Sequence, residues 1–206
     1  FFDCTEPLDY SGTKASESER KEYDNMMASV EEYHGFYIGR YEMSNDGNNN
    51  AQSKKNKDPL SSIKWGNSMT DLSGGIVEKA RGMYKESDAT KGNAVSTLVY
   101  GVAWDETIRF IKKNYPEIEK NSNEYGNYSS GDTILTGSEI KYSLNNIYDM
   151  AGNVWEWTME SNSNTSRCGR GGGYDNNYIS SISDRGPSLP NATPANLGGR
   201  VQIYIK

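Results

Sequence analysis

The sequence predicts an α+β domain in which two helices and short antiparallel strands are joined by long loops. A strand-like run at residues 35–42 lies near the start of the domain, and a run that alternates apolar and polar residues closes the chain at 200–205. Between them, two stretches carry apolar residues at helical spacing. Polar segments rich in glycine and asparagine fill most of the C-terminal half, which indicates loops.

The helical stretches differ in the strength of their pattern. Residues 71–84 repeat an apolar side chain every three or four positions, with a glycine pair in the first turn. The pattern from Trp104 to Ile111 is more regular and ends before Pro116. A helix predicted at residues 17–33 precedes the domain. We therefore expect an N-terminal extension, residues 1–34, whose helix packs on a domain formed by residues 35–206.

Charge and hydropathy exclude two classes of partner. The net charge is −6, whereas binding to phosphates requires a basic surface, so we expect no nucleic-acid partner. The sequence contains no apolar run of 18 residues, so we expect no direct membrane insertion. Because the chain begins with Phe1, we expect a fragment or a processed form. The cysteines, Cys4 and Cys168, are too far apart for a metal motif, and we expect two free thiols, with a bridge between them as the alternative.

Four parts of the chain, taken in order, resemble the formylglycine-generating-enzyme (sulfatase-modifying factor) superfamily, a divergent branch of the C-type lectin fold. The decapeptide at residues 148–157 is the most specific of them. The resemblance covers roughly residues 35–206 and implies a C-type-lectin-like fold. The matching parts are 35–42 (GFYIGRYE), Trp104 in its helix, 148–157 (YDMAGNVWEW), and 170–174 (RGGGY) with the closing 198–201 (GGRV).

The sequence departs from the catalytic members of this superfamily. Relatives that oxidise a cysteine hold copper with two cysteines just after the Arg-Gly-Gly motif, but no cysteine follows Arg170 here. Relatives that form sulfoxides hold iron with three histidines, and this chain has only His34. A metal centre needs several converging ligands. We therefore expect no enzyme, no catalytic residues and no catalytic cofactor, with Cys168 a buried small side chain.

One non-catalytic branch that this chain resembles is the variable protein of diversity-generating retroelements. In that branch, mutation of template adenines lets AAC-type codons change into many others, but never into codons for Lys, Glu, Gln, Met or Trp. Residues 171–199 contain none of these five residue types, whereas Lys and Glu are frequent elsewhere. The resemblance thus predicts a variable ligand-binding region at about 170–199. The alternative is an ordinary surface loop rich in Gly, Asn and Ser.

Tyr, Ser, Asn and Gly dominate antibody binding loops because they combine contact area with adaptable hydrogen bonding. The same composition predicts that this region binds a protein or a glycan on a cell surface. Arg170, Arg185 and Arg200 are predicted to belong to the scaffold. The candidate contact residues are Asp175, Asn176, Asn177, Tyr178, Ser180, Ser183, Asp184, Ser188, Leu189, Asn191, Thr193 and Asn196.

The resemblance also implies a possible structural calcium site in the decapeptide. By position, Asp149 and Glu156 would supply carboxylates, and Gly152 and Val154 would supply backbone carbonyls. The alternative is that Glu156 pairs with an arginine and the neighbouring tryptophans belong to the core.

The predicted function is therefore recognition of a receptor by a diversified protein on a phage tail (virion) or a bacterial surface. Two alternatives are a formylglycine-generating-type oxidase and an undiversified carbohydrate-binding lectin. The sequence lacks the Glu-Pro-Asn or Gln-Pro-Asp tripeptide of a standard calcium-dependent sugar site.

Overall fold

Three α-helices and eleven short strands make up the part of the chain that the computed structural model describes, residues 17–85, 88, 90, 92–176 and 180–206. The helices are α1 (Glu17–Tyr33), α2 (Ile76–Met83) and α3 (Gly101–Lys112). The strands are β1 (Tyr37–Ile38), β2 (Met43–Asn45), β3 (Ala51–Ser53), β4 (Ala94–Leu98), β5 (Ser143–Leu144), β6 (Ile147–Tyr148), β7 (Trp155–Ser161), β8 (Arg167–Arg170), β9 (Arg185–Ser188), β10 (Leu197–Gly199) and β11 (Val201–Ile205).

A four-stranded sheet in the order β10-β7-β8-β9 supports the C-terminal loops. Its β7-β8 and β8-β9 pairs are antiparallel, but β10 runs parallel to β7, which corrects the expectation of antiparallel strands throughout. Glu156 on β7 is in register with Arg170 on β8 and with Gly198 on β10. The two ends of the predicted variable region therefore lie on either side of one residue of β7.

A second sheet joins the two ends of the domain in the order β1-β11-β4. β11 confirms the predicted terminal strand and pairs antiparallel with both neighbours. β4 was not among the strands predicted from the sequence. Two further pairs, β2-β3 and β5-β6, are short antiparallel hairpins.

Three fully buried indoles form the centre of the core, and each donates its N–H to a backbone carbonyl. Trp65 donates to Thr158 at 2.9 Å, Trp104 to Ile182 at 3.0 Å, and Trp157 to Ile63 at 3.0 Å. Because a buried indole N–H requires a partner, these bonds fix the backbone of β7 and of two loops to the core.

Helix α1 packs against the domain through apolar and charged contacts. Met26 is buried, and Tyr23 meets Tyr100 edge to face at 5.3 Å between ring centroids. Glu19 accepts a hydrogen bond of 2.9 Å from the buried Arg167, whose guanidinium also lies 3.8 Å from the Trp65 ring centroid. These contacts make the helix part of the packed structure.

Helix α2 begins at Ile76, five residues later than predicted. The residues before it form a turn in which Asp71 accepts hydrogen bonds from the Asn67 amide at 2.9 Å and the Ser73 backbone at 3.0 Å. Such side-chain bonds offer the backbone an alternative to the helix. A Cβ at Gly75 would lie 2.0 Å from the carbonyl oxygen of Trp65, so this position requires glycine.

Cys168 is fully buried on β8 and is disulfide-bonded. The expectation of a free thiol at this position is therefore wrong, because sequence spacing alone gives no distance between two cysteines. Cys4 lies outside the described residues. Within the described part of the chain, no helix combines the length and the apolar character needed to cross a membrane.

Candidate ligand-binding face

The decapeptide turn is a buried polar junction beneath the candidate face. Asp149, Gly152 and Asn153 all have positive φ, at 57°, 71° and 64°. The Asn153 amide donates to Glu42 at 2.6 Å and accepts from the Ile134 backbone at 2.9 Å. The turn is thus fixed by residues far away in sequence.

The predicted calcium residues occupy this turn, but their side chains have different partners. The Glu156 carboxylate accepts hydrogen bonds from Arg200, at 3.0 and 3.1 Å from Nε and at 2.6 Å from Nη2. Glu156 is therefore paired with an arginine, which was the predicted alternative to a calcium ligand. Asp149 accepts from the Gly137 backbone at 2.7 Å through one oxygen, and its other oxygen is buried without a hydrogen-bond partner among the described residues. Gly152 and Val154 follow in the same turn, and both are buried.

Only part of this donor set fits a cation. The free oxygen of Asp149 suits calcium, which prefers oxygen ligands. The Glu156 carboxylate is already neutralised by Arg200. Across the described ranges, no group of three or more His, Cys, Asp or Glu side chains is arranged to hold a metal ion.

Burial governs the electrostatics of the turn. It raises the pKa of Asp149 to about 6, and it also raises the pKa values of Glu42 and Glu156. The neighbouring carboxylates raise the pKa of Glu42 further, and Arg200 opposes this effect. Three buried carboxyl groups therefore share one guanidinium.

A second charged network fixes the candidate segment to the scaffold. Buried Arg170 donates to Glu160 at 2.8 Å and to the Ser183 carbonyl at 2.8 Å, and it also pairs with Asp105. Arg185 reaches the same two carboxylates, at 3.2 Å for Glu160 and 3.0 Å for Asp105. Two arginines and two acids thus join α3, β7, β8 and β9, which is the scaffold arrangement expected for Arg170 and Arg185.

The glycines after Arg170 allow the chain to leave the sheet. Gly171 and Gly172 have φ of +87° and +78°, a region that favours glycine. A Cβ at Gly172 would lie 2.5 Å from Cε1 of Tyr128. The hydroxyl of Tyr128 donates to the Gly171 carbonyl at 2.7 Å. The Arg-Gly-Gly motif is therefore explained by backbone geometry.

The middle of the segment is anchored by Ile182, which is fully buried. Its carbonyl accepts the Trp104 indole N–H, and its backbone N–H donates to the Ser122 hydroxyl at 2.9 Å. The hydroxyl of Ser181 donates to the Glu119 carbonyl at 2.8 Å. One apolar side chain and its flanking bonds thus hold the loop down between its two ends.

None of the ten described candidate contact residues is buried. Asp175, Leu189, Asn191 and Thr193 are exposed, and Leu189 is 57% exposed. Half-buried positions are Asn176, Ser180, Ser183, Asp184, Ser188 and Asn196. Asn177 and Tyr178 lie outside the described residues.

Some of the half-buried candidates already have hydrogen-bond partners in the protein. The Asn176 side chain accepts from the Trp155 indole at 2.8 Å and from the Gly173 backbone at 2.9 Å. Asp184 accepts from the Ser181 backbone at 2.9 Å. The exposed candidates Leu189, Asn191 and Thr193 thus have more freedom to meet a ligand than these two.

Sequence reasoning missed Trp155 as a surface residue, because it was considered only as a core aromatic beside Trp157. It is half-buried and borders a cleft of about 180 Å³ together with Ser188, Pro194 and Asn196. Its position opposite Leu197 on β10 places it at the foot of the candidate segment. No signal in the sequence distinguishes it from Trp157.

The part of the chain that carries this face resembles a known protein family. Residues 105–204 match the family model of the sulfatase-modifying factor enzyme 1-like domain. This match confirms the family resemblance predicted from the sequence. No curated protein matches the chain.

CarF and a variable protein are among the solved structures that are similar to the chain. The structure of CarF aligns at a TM-score of 0.51 and 16% identity, over 90% of this chain and 83% of CarF. Variable protein 1 of Treponema denticola aligns at a TM-score of 0.40 and 18% identity, over 52% of this chain and 47% of that protein, so the chain spans less than half of its length. The α+β, loop-rich, C-type-lectin-like fold predicted from the sequence is confirmed.

Proposed function

We propose that this protein is the diversified ligand-binding protein of a diversity-generating retroelement, which recognises a protein or glycan through residues 170–199 without catalysis. The observation that carries the proposal is the composition of residues 171–199, which contain no Lys, Glu, Gln, Met or Trp. Mutation of adenines in AAC-type codons would leave the same five residue types out.

The placement of the segment supports the proposal. Its anchors contact residues outside it, namely Trp104, Asp105, Tyr128 and Glu160. Its ten described candidate contact residues are exposed or half-buried. A loop that is held by constant residues and displays changeable ones can vary its surface at little cost to the fold.

The non-catalytic part of the proposal rests on the available side chains. Cys168, the cysteine nearest to the segment, is buried and disulfide-bonded, so it offers no thiolate nucleophile. His34 is the only histidine in the sequence, which leaves no imidazole pair for acid–base or metal chemistry. A location on a phage tail or bacterial surface belongs to the same proposal.

The source genome provides the decisive test. We expect a reverse-transcriptase gene beside a near-copy of the codons for residues 170–200 that differs only where the copy has adenine. Absence of such a repeat would reject diversification and leave an undiversified binding domain. Copper-dependent turnover of a cysteine peptide by the purified chain would instead support the oxidase alternative.

A further inference from the structure

The cleft beside Trp155 lies among the candidate contact residues. Its volume of about 180 Å³ is well below the roughly 300–1,000 Å³ of pockets that enclose a whole small molecule. The cleft therefore has room for one side chain or one ring. Its walls are Trp155, Gly169, Gly186, Pro187, Ser188, Pro194, Asn196 and Leu197.

Trp155 offers the cleft an aromatic face and no free donor. Its indole N–H already donates to Asn176 at 2.8 Å. A Cβ at Gly186 would lie 3.3 Å from Cζ3 of Trp155, and one at Gly169 would lie 3.6 Å from Cε3. Because both neighbours are glycines, no side chain from these positions covers the ring.

The polar groups at the rim are mainly acceptors. The Asn196 amide directs its Nδ2 to both carboxylate oxygens of Asp175, at 2.9 and 3.0 Å. This leaves the side-chain carbonyl oxygen (Oδ1) of Asn196 and the remaining lone pairs of Asp175 to receive donors. A Cβ at Gly173 would lie 3.0 Å from Cδ1 of Trp155 and 3.4 Å from Oδ1 of Asp175, so both side chains border the same glycine, and the Asp175 carboxylate is joined to the cleft wall through Asn196.

We propose, on the basis of the proposed function, that this cleft anchors an arginine side chain of a protein partner. A guanidinium carries five donors and no acceptor, stacks on an indole face, and pairs with a carboxylate through two parallel hydrogen bonds. The exposed carboxylate of Asp175 has a neutral amide as its described partner, which leaves its charge available. The net charge of −6 favours the approach of a basic partner.

A sugar ring fits these groups less well. Its hydroxyls both donate and accept, so a sugar site needs donors as well as acceptors. Ser188 supplies a hydroxyl, whereas the Trp155 N–H is taken and Pro187 has no backbone N–H. The cleft thus favours a ligand that only donates.

The test follows the indole signals of the four tryptophans in a ¹⁵N-labelled chain by NMR. The Trp155 signal is assigned as the one that disappears in W155F. The probe is N-acetyl-L-arginine methylamide, and N-acetyl-L-citrulline methylamide is its uncharged isostere. We expect a saturable shift of the Trp155 signal by the arginine probe, with a Kd on the order of millimolar, and at least a tenfold weaker effect of citrulline.

The variant D175N should bind the arginine probe about tenfold more weakly, and most of the salt dependence of this binding should be lost. D24N is the matched control, because it makes the same change of charge at an exposed position on α1, and it should leave the titration unchanged. Thermal unfolding of each variant establishes that the fold is intact.

Three results would overturn the proposal: equal responses to arginine and citrulline, an unchanged affinity in D175N, or no saturable shift at about 100 mM probe. A shift of the Trp155 signal by methyl glycosides but not by arginine would assign the cleft to a glycan. The genomic repeat is independent of this titration. A chain with the repeat but no arginine binding would retain the proposed function and lose only this inference.

Discussion

Arg200 holds both carboxylate oxygens of Glu156 within 3.1 Å of its Nε atom, deep inside the domain. The same guanidinium donates to the carbonyls of Gly39 at 2.8 Å and Tyr148 at 2.9 Å. It therefore joins the start of the domain, the decapeptide turn and the last strand, and several consequences for stability can be measured.

Removal of Arg200 should be far more damaging than neutralisation of its partner. R200M leaves Glu156, Asp149 and Glu42 buried without their shared cation, and breaking such a pair costs roughly 3–5 kcal/mol. E156Q still leaves Arg200 near two carboxyl groups, so we expect a smaller loss. Urea unfolding of both variants measures the difference, and an equal loss would contradict the shared role of Arg200.

The stability of the metal-free protein should depend on pH through Asp149. Its pKa is raised from 3.8 to about 6 in the folded state, so the unfolded chain releases this proton first as the pH rises. Between about pH 4 and 6 the folded state therefore holds more protons, and the free energy of unfolding falls with rising pH and then levels off. The two-unit shift corresponds to a contribution on the order of 3 kcal/mol.

In D149N, the free energy of unfolding should depend less on pH in this range, as measured by urea unfolding in EDTA. The pKa values of Glu42 and Glu156 are raised in the same direction, partly by Asp149 itself, so the difference between wild type and variant reports Asp149 together with its effect on these two groups. A profile identical in D149N and wild type would show that another group controls the slope.

Calcium binding at the decapeptide turn stays a proposal that depends on the free oxygen of Asp149. We expect millimolar calcium to raise the melting temperature relative to EDTA, because a ligand that binds only the folded state stabilises it. D149A should abolish the shift, and magnesium should not replace calcium, because it demands a smaller octahedral site. An equal shift in D149A would place any calcium elsewhere.

Gly172 and Gly131 form a matched pair for testing the Arg-Gly-Gly geometry. Their φ values are +78° and +76°, so alanine meets the same backbone penalty at both positions, about 1 kcal/mol. A Cβ at Gly172 meets Tyr128 at 2.5 Å and Ser180 at 2.8 Å, whereas one at Gly131 meets nothing within 4 Å. We expect G172A to lose about 1–3 kcal/mol more than G131A in urea unfolding; equal losses would mean that the segment moves freely.

The segment should divide into anchors and replaceable positions. I182A removes a fully buried side chain and should cost about 2–5 kcal/mol. L189S, N191S and T193S alter exposed positions and should each stay within about 0.5 kcal/mol of wild type. Thermal unfolding compares the four variants, and large losses at the exposed positions would contradict a replaceable surface.

The sequence predicted those elements whose local pattern and packing agree. Helix α1 has the predicted bounds, and β11 shows the expected alternation. The start of α2 was wrong because Asp71 and its hydrogen bonds stabilise a turn in place of a helical one. β4 was missed because its strand structure depends on β11, which is about a hundred residues away in the chain.

The candidate site was predictable in composition but not in geometry. The absence of five residue types could be counted, and Arg170 and Arg185 were predicted to belong to the scaffold. The arginine partner of Glu156 was only an alternative, since pairing across 44 residues has no local signature. The exposure of Trp155 depends on glycines that its neighbouring strands contribute.

The register of β7 with its two neighbours limits how residues 171–197 can change. Arg170 and Gly198 flank the same residue, Glu156, so the ends of the segment are held about 10 Å apart, or two strand spacings. Ile182 divides the intervening chain into two shorter loops of defined length. A copying process that exchanges bases without adding or removing codons preserves both lengths, whereas an inserted residue would lengthen one of the two loops. Substitution within the segment is thus compatible with the fold, because it leaves the lengths of both loops unchanged.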